Sequence, residues 1–280
     1  MVDVSPETID EVAARLDELI TAWGSDNRLL SGTPLHGSPI IQYGDLMAEK
    51  MGPAGKWSGE SARIAGQSAV ALLHASQEYL RGIRTLVGTN AHDFALAPVA
   101  GAMLEAVGRA CWLLDPTSSL RNRAARVKLI WLDDHYQARS LRWNGAEKRQ
   151  LDAAISRARE QIVGMFRIDE IVQPKKLDHH SHTPLPIACG ETMPSLRASV
   201  RFAEGSRKAS TPNLGGFYDT LSTLSHPTLA PIVQQITGAG ASAETYTTTI
   251  VSESMRFFYG GWDLVARYHG QSAPSEHAIA

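Results

Sequence analysis

The sequence predicts an all-α protein, a single helical bundle of about seven helices with long connections at 25–58 and 172–193. Three observations carry that expectation. Apolar residues recur at three- and four-residue spacing through most of the chain, clear alternating runs of the kind that make half-buried strands are absent, and capping residues, Asp-Pro and Gly punctuate the periodic segments. With 280 residues, 43% of them hydrophobic and 20% charged, the chain is long enough to bury a substantial core, which excludes disorder as a description of the whole.

The elements follow in order. Ser5-Pro6 places a capping residue before a proline at the first helical position, and Ile9, Val12, Leu16, Leu19, Ile20 and Trp23 then mark one apolar face up to Gly24. Residues 25–58 are rich in Gly, Pro, Ser and Asn and read as a long connection with one short helix expected around Tyr43 to Met51. An alanine-rich helix is expected from Ser61 to Val87, and a second from Asp93 to Leu114, which tolerates Pro98 in its first turn and stops at Asp115-Pro116. A third runs from Ser118 or Ser119 to Trp143, and a fourth from Asn144-Gly145 to Phe166. Two more are expected at Gly216–Ser225 and Ser242–Tyr268. The polar, proline-punctuated stretch 172–193 reads as a loop between two halves of one domain spanning 1–270, with 271–280 as a flexible tail.

Composition narrows the function classes. A formal net charge of −2 supplies no global field toward nucleic acid or anionic lipid, so such a partner needs a local patch. Two cysteines, Cys111 and Cys189, with no Cys-x-x-Cys pair, fit a reducing, cytoplasmic setting and argue against a disulfide scaffold or a thiolate zinc site. The opening Met1-Val-Asp-Val-Ser-Pro-Glu lacks a basic start and apolar run, so no export signal is expected. The weakly polar run Phe94–Leu104 is cut by Glu105 and Arg109, short of the roughly 20 apolar residues of a membrane span, so no membrane partner is expected. Gly-x-Ser-x-Gly, phosphate-loop, dinucleotide and paired Glu-x-x-His signatures are missing from the sequence, and neither a cofactor nor a metal is expected.

The leading candidate site is a polar stripe. Tyr218, Ser222 and His226 recur every four residues, with Ser225 beside them, on an otherwise apolar helix. Turned inward, these groups need partners, and Glu105 with Arg109, one turn apart on the apolar Met103–Leu114 segment, can provide them. Two readings stand side by side: a structural polar network that fixes helix register, and a ligand pocket or active site. Three weaker constellations are Asp178-His179-His180-Ser181-His182, Asp133-Asp134-His135-Tyr136, and a basic run of Arg121, Arg123, Arg126, Lys128, Arg139, Arg142, Lys148 and Arg149 interleaved with Trp131 and Trp143. A mobile polar loop is the commoner outcome for the first. A solvated helix face is the commoner outcome for the last, against a phosphate-tracking surface. His74, between apolar residues with Glu78 one turn on, reads as a core histidine.

Three stretches carry a resemblance: Met103 to Pro116, Tyr218 to Pro227, and Phe258-Tyr-Gly-Gly-Trp-Asp263. They resemble a group of uncharacterised actinobacterial helical proteins and, more distantly, the HEPN superfamily of helical bundles found in toxin, antitoxin and defence systems. The resemblance implies a homodimer and, in its catalytic form, metal-independent RNA cleavage with His226, Arg109 and Glu105 as the catalytic group and Tyr218, Ser222 and Ser225 as binding residues. The superfamily's arginine upstream of the histidine is replaced here by Leu221 or Ser222, so the cation must come from Arg109 on another helix. A non-catalytic member that binds a nucleotide, RNA or a protein partner, and a purely structural or assembly protein, are the other implied functions.

Overall fold

A computed structural model describes residues 8–25, 34–50, 60–89, 93–139, 141, 144–165, 171–172, 187–188, 190–206, 214–225 and 243–273. Among these residues the chain forms nine α-helices and one pair of two-residue strands. In chain order they are α1 (Ile9–Ser25), α2 (Pro39–Lys50), α3 (Glu60–Gly88), α4 (Asp93–Leu113), α5 (Leu120–Arg139), α6 (Gly145–Met165), β1 (Ile171–Val172), β2 (Ile187–Ala188), α7 (Leu196–Ser206), α8 (Leu214–Ser225) and α9 (Ala243–Tyr268). The all-α expectation holds. The count of about seven falls short because α2 was expected only as a short piece and α7, at Leu196–Ser206, was not expected.

Local chemistry sets the helix starts. Thr8 caps α1 by a reciprocal box in which its backbone N–H donates to Glu11 Oε2 at 2.8 Å while its Oγ1 accepts from the Glu11 N–H at 3.3 Å. The first helix therefore begins at Ile9, and Ser5-Pro6 lie outside the described residues. Asn144 and Glu147 build the same kind of box at α6, and Ser119 caps α5 by accepting from the Asn122 N–H. At the other end of the chain α9 closes in a Schellman motif: Gly270 adopts φ 76°, its N–H reaches the Arg267 carbonyl, and the Gln271 N–H reaches that of Ala266 at 2.8 Å. Gln271, assigned to the tail from sequence, is buried, and residues 274–280 lie outside the described residues.

α4 is the hub, packing against α3, α7, α8 and α9. A helix enclosed on so many sides needs apolar residues all round, which Leu96, Ala100, Met103, Leu104, Val107, Ala110 and Leu113 supply. By length and composition alone Ala95–Leu113 would suffice to cross a membrane, a longer apolar stretch than Phe94–Leu104, but 72% of it is buried by its neighbours. Two glycines permit the closest approaches. A Cβ on Gly108 would sit 2.8 Å from the Ser199 carbonyl carbon and oxygen on α7, and one on Gly261 would sit 2.6 Å from Val107 Cγ1. Around Trp23 the core is aromatic, with His74, Phe258 and Trp262 meeting its ring edge-on at 5.2–5.6 Å. His74 accordingly sits against the core, as its sequence context suggested.

α5 and α6 pack on each other around a separate small cluster of Ala124, Ala125, Leu132, Ile155, Ala158, Ile162 and Ala188. The strands pair antiparallel, Ile171 opposite Ala188 and Val172 opposite Ile187, and close the base of the 172–193 connection. The chain then turns through Gly190, at φ 76°, to place Glu191 against α5.

Candidate functional site

The expected stripe on α8 is partly assembled. Tyr218 faces inward, 9% exposed, and its hydroxyl donates to Glu105 Oε1 at 2.5 Å. Burial first, and then the Glu105 hydrogen bond and charge, hold the phenol well above its ordinary range, so it stays a donor at neutral pH. Arg109 takes a different partner. Its Nη2 donates to Asp133 Oδ2 on α5 at 3.3 Å, with both side chains mostly buried, while its Nε takes no hydrogen bond. Glu105 and Arg109 lie one turn apart on α4, so the seam runs Tyr218–Glu105, then Arg109–Asp133, bridging α8, α4 and α5.

The remaining predicted site residues do not join it as expected. Ser225 donates its hydroxyl to the Leu221 carbonyl of its own helix at 2.8 Å, which satisfies it locally. Ser222 is half-buried. His226 lies outside the described residues, as do the His179–His182 run, Arg142 and Trp143. Asp133, placed from sequence in the separate Asp133–Tyr136 constellation, is the member that was missed. Next to it, partial burial pushes the Asp134 carboxyl up, Asp133 adds to that, and Arg109 and His135 oppose it.

Folding splits the basic run: Lys148 and Arg149 stay exposed, whereas Arg123 and Arg126 leave the solvated face for the interior. Arg123 and Arg126 are 2% and 6% exposed. Arg126 grips Glu191 with two hydrogen bonds, Nε to Oε2 at 2.9 Å and Nη2 to Oε1 at 3.1 Å, and its Nη1 reaches the Trp112 carbonyl at 2.5 Å and Asp115 Oδ2 at 3.2 Å. Asp115 in turn accepts from Thr117 and Ser118. Burial pushes its carboxyl up, but those hydrogen bonds and Arg126 outweigh it, and the carboxyl ends below the ordinary range. Arg123 lies over Tyr43 at 4.2 Å and Tyr268 at 5.5 Å and donates Nη2 to the Asp115 carbonyl at 2.7 Å. Of the exposed members, Lys128 bonds Gln161 and covers Trp131, and Arg139 pairs with Asp152.

Among the described residues no group of three or more His, Cys, Asp or Glu is placed to hold a metal ion. No family model, curated protein or solved structure matches this chain.

Proposed function

We propose that this chain is a helical-bundle binding protein that turns nothing over, and that its seam receives a protein partner rather than RNA or a nucleotide. One observation carries the reading: the guanidinium of Arg109 is met by Asp133, with Glu105 one turn away and Asp134 adjacent, so it stands among three carboxylates, while Arg197, the cation beside Tyr218, is held by Asp219. Such a seam repels a phosphate backbone and favours cationic or hydrogen-bond-donating groups on an incoming surface. The metal-independent ribonuclease alternative needs Arg109 as a phosphate clamp. Its pairing with Asp133 works against that role.

A fluorescent single-stranded RNA and a fluorescent arginine-rich peptide, titrated in parallel with the protein in chelator, test the reading. The expected result is intact, unbound RNA and saturable peptide binding that weakens several-fold in Glu105→Gln and Asp133→Asn. Cleaved RNA, or RNA bound more tightly than the peptide, sinks it. Sedimentation of the same samples reads whether the partner is a second copy, the homodimer implied by the HEPN resemblance.

A further inference from the structure

The three carboxylates around Arg109 are not equally engaged. Glu105 accepts from the Tyr218 hydroxyl, and Asp133 accepts from Arg109 Nη2 at 3.3 Å and from Gln137 Nε2 at 3.5 Å. Asp134 takes no hydrogen bond and no ion pair among the described residues; Arg109 and His135 act on it through their charge alone. Part of its surface is nevertheless withdrawn from water, which pushes its carboxyl up. A carboxylate that has lost water without gaining a donor is the one at which an incoming donor gains most.

The helix places an aromatic ring beside it. Residues three apart on an α-helix are neighbours on one face, and helical side chains lean toward the N-terminus, so Asp134 is directed over the turn that carries Trp131. Both belong to the solvent-facing side of α5, whereas Leu132 and Asp133 between them turn inward. Trp131 is 36% exposed, in a chain whose Trp23, Trp112 and Trp262 are buried. Its ring already draws a cation: Lys128, one turn back, holds its ammonium 4.9 Å from the ring centroid while donating to Gln161 on α6 at 2.9 Å. An electron-rich ring and a carboxylate with both oxygens open therefore stand side by side at the rim of the seam.

We propose that Trp131 and Asp134 form the anchor point for one arginine of the protein partner, its planar guanidinium laid on the indole and its paired N–H groups donating to both oxygens of Asp134. This rests on the reading of the seam as a protein-binding surface and names the residue that surface recognises. Shape separates arginine from lysine here. A guanidinium stacks on the ring and bridges two carboxylate oxygens at once, whereas an ammonium is a compact point charge that does one or the other. Glu105 and Asp133, each already accepting from the protein, then supply mainly field, which draws the basic partner to the rim.

The test uses the full chain and two fluorescent peptides of one sequence, one carrying arginine and the other lysine at every basic position, read by anisotropy. The arginine peptide is expected to bind about fivefold more tightly. Asp134→Asn should weaken it by about fivefold and remove the preference, while Trp131→Leu should weaken it by about threefold and Trp131→Phe should restore part of that loss. Both side chains are exposed, so the variants should melt with the wild type. Equal affinity for the two peptides, or wild-type affinity in Asp134→Asn and Trp131→Leu while Glu105→Gln and Asp133→Asn lose binding, would overturn the anchor and leave the seam reading standing. Binding of neither peptide by the wild-type chain would overturn the seam reading and the anchor with it.

Discussion

Adding one methyl group at two places on α4 should have opposite effects on stability. At Gly108 the new Cβ meets the Ser199 carbonyl carbon and oxygen at 2.8 Å and the Val200 nitrogen at 2.9 Å. Those are backbone atoms of α7, which cannot rotate away, so α4 and α7 must separate by several tenths of an ångström along a tightly packed contact. Overpacking of this kind costs about 1–3 kcal/mol and often more when backbone must move. Alanine's helix propensity returns at most about 1 kcal/mol. At Gly101, seven residues earlier, a Cβ meets nothing within 4 Å, so the propensity gain stands alone at about 0.5–1 kcal/mol. Gly108→Ala is expected to lower the melting temperature and Gly101→Ala to raise it, by roughly 2–4 °C per kcal/mol for a chain of this size. Urea titration monitored by tryptophan fluorescence reads both. Equal or greater stability of Gly108→Ala relative to Gly101→Ala would refute the claim that backbone contact makes glycine necessary there.

Three further outcomes follow from the side chains. Tyr218→Phe leaves Glu105 without its hydroxyl donor and should cost about 1 kcal/mol, below the usual range for bonds to charged groups because Glu105 is only partly buried; an unchanged urea midpoint would mean the seam contributes no stability. Arg126→Met strands Glu191 and Asp115 and should cost about 3–5 kcal/mol, whereas Arg139→Met, which breaks an exposed pair with Asp152, should cost about 0.2–1 kcal/mol; similar losses in the two variants would contradict the burial argument. Burial depresses the His269 pKa below its ordinary value of 6.5, with the Val265 carbonyl opposing, so its contribution is fully present above pH 6.5 and declines as pH falls below that value; replacing it with Phe should flatten the stability curve over that interval, and an unaltered slope would show that another group titrates there.

How far the sequence could be read depended on which signals were local. Helix existence was legible because periodicity is a property of each segment, and the apolar residues all round α4 fit its place among four neighbours, a signal the sequence reading left unused. α7 was missed because Leu196, Val200 and Ala203 give a stripe of one or two turns inside a stretch dominated by prolines, and such a helix is held mainly by its packing against α4. The inward turn of Tyr218 toward Glu105 was legible from four-residue spacing. The partner of Arg109 was not, since Asp133 lies 24 positions away and only the packing of α5 brings it near. Arg123 and Arg126 carried a usable signal that was overlooked. They share a helical face with Val127 and Ile130, so the same periodicity that buries those residues turns the two guanidiniums inward.

The short β1–β2 stem has a practical consequence for engineering. Two paired residues on each strand, backed by the Arg126–Glu191 clamp, hold the ends of the intervening segment at a fixed spacing regardless of what lies between them. Lengthening a segment with fixed ends is entropically cheap, about 0.6 kcal/mol for each doubling. An epitope or a reporter inserted between Val172 and Ile187 therefore meets ends that the strand pair already holds together.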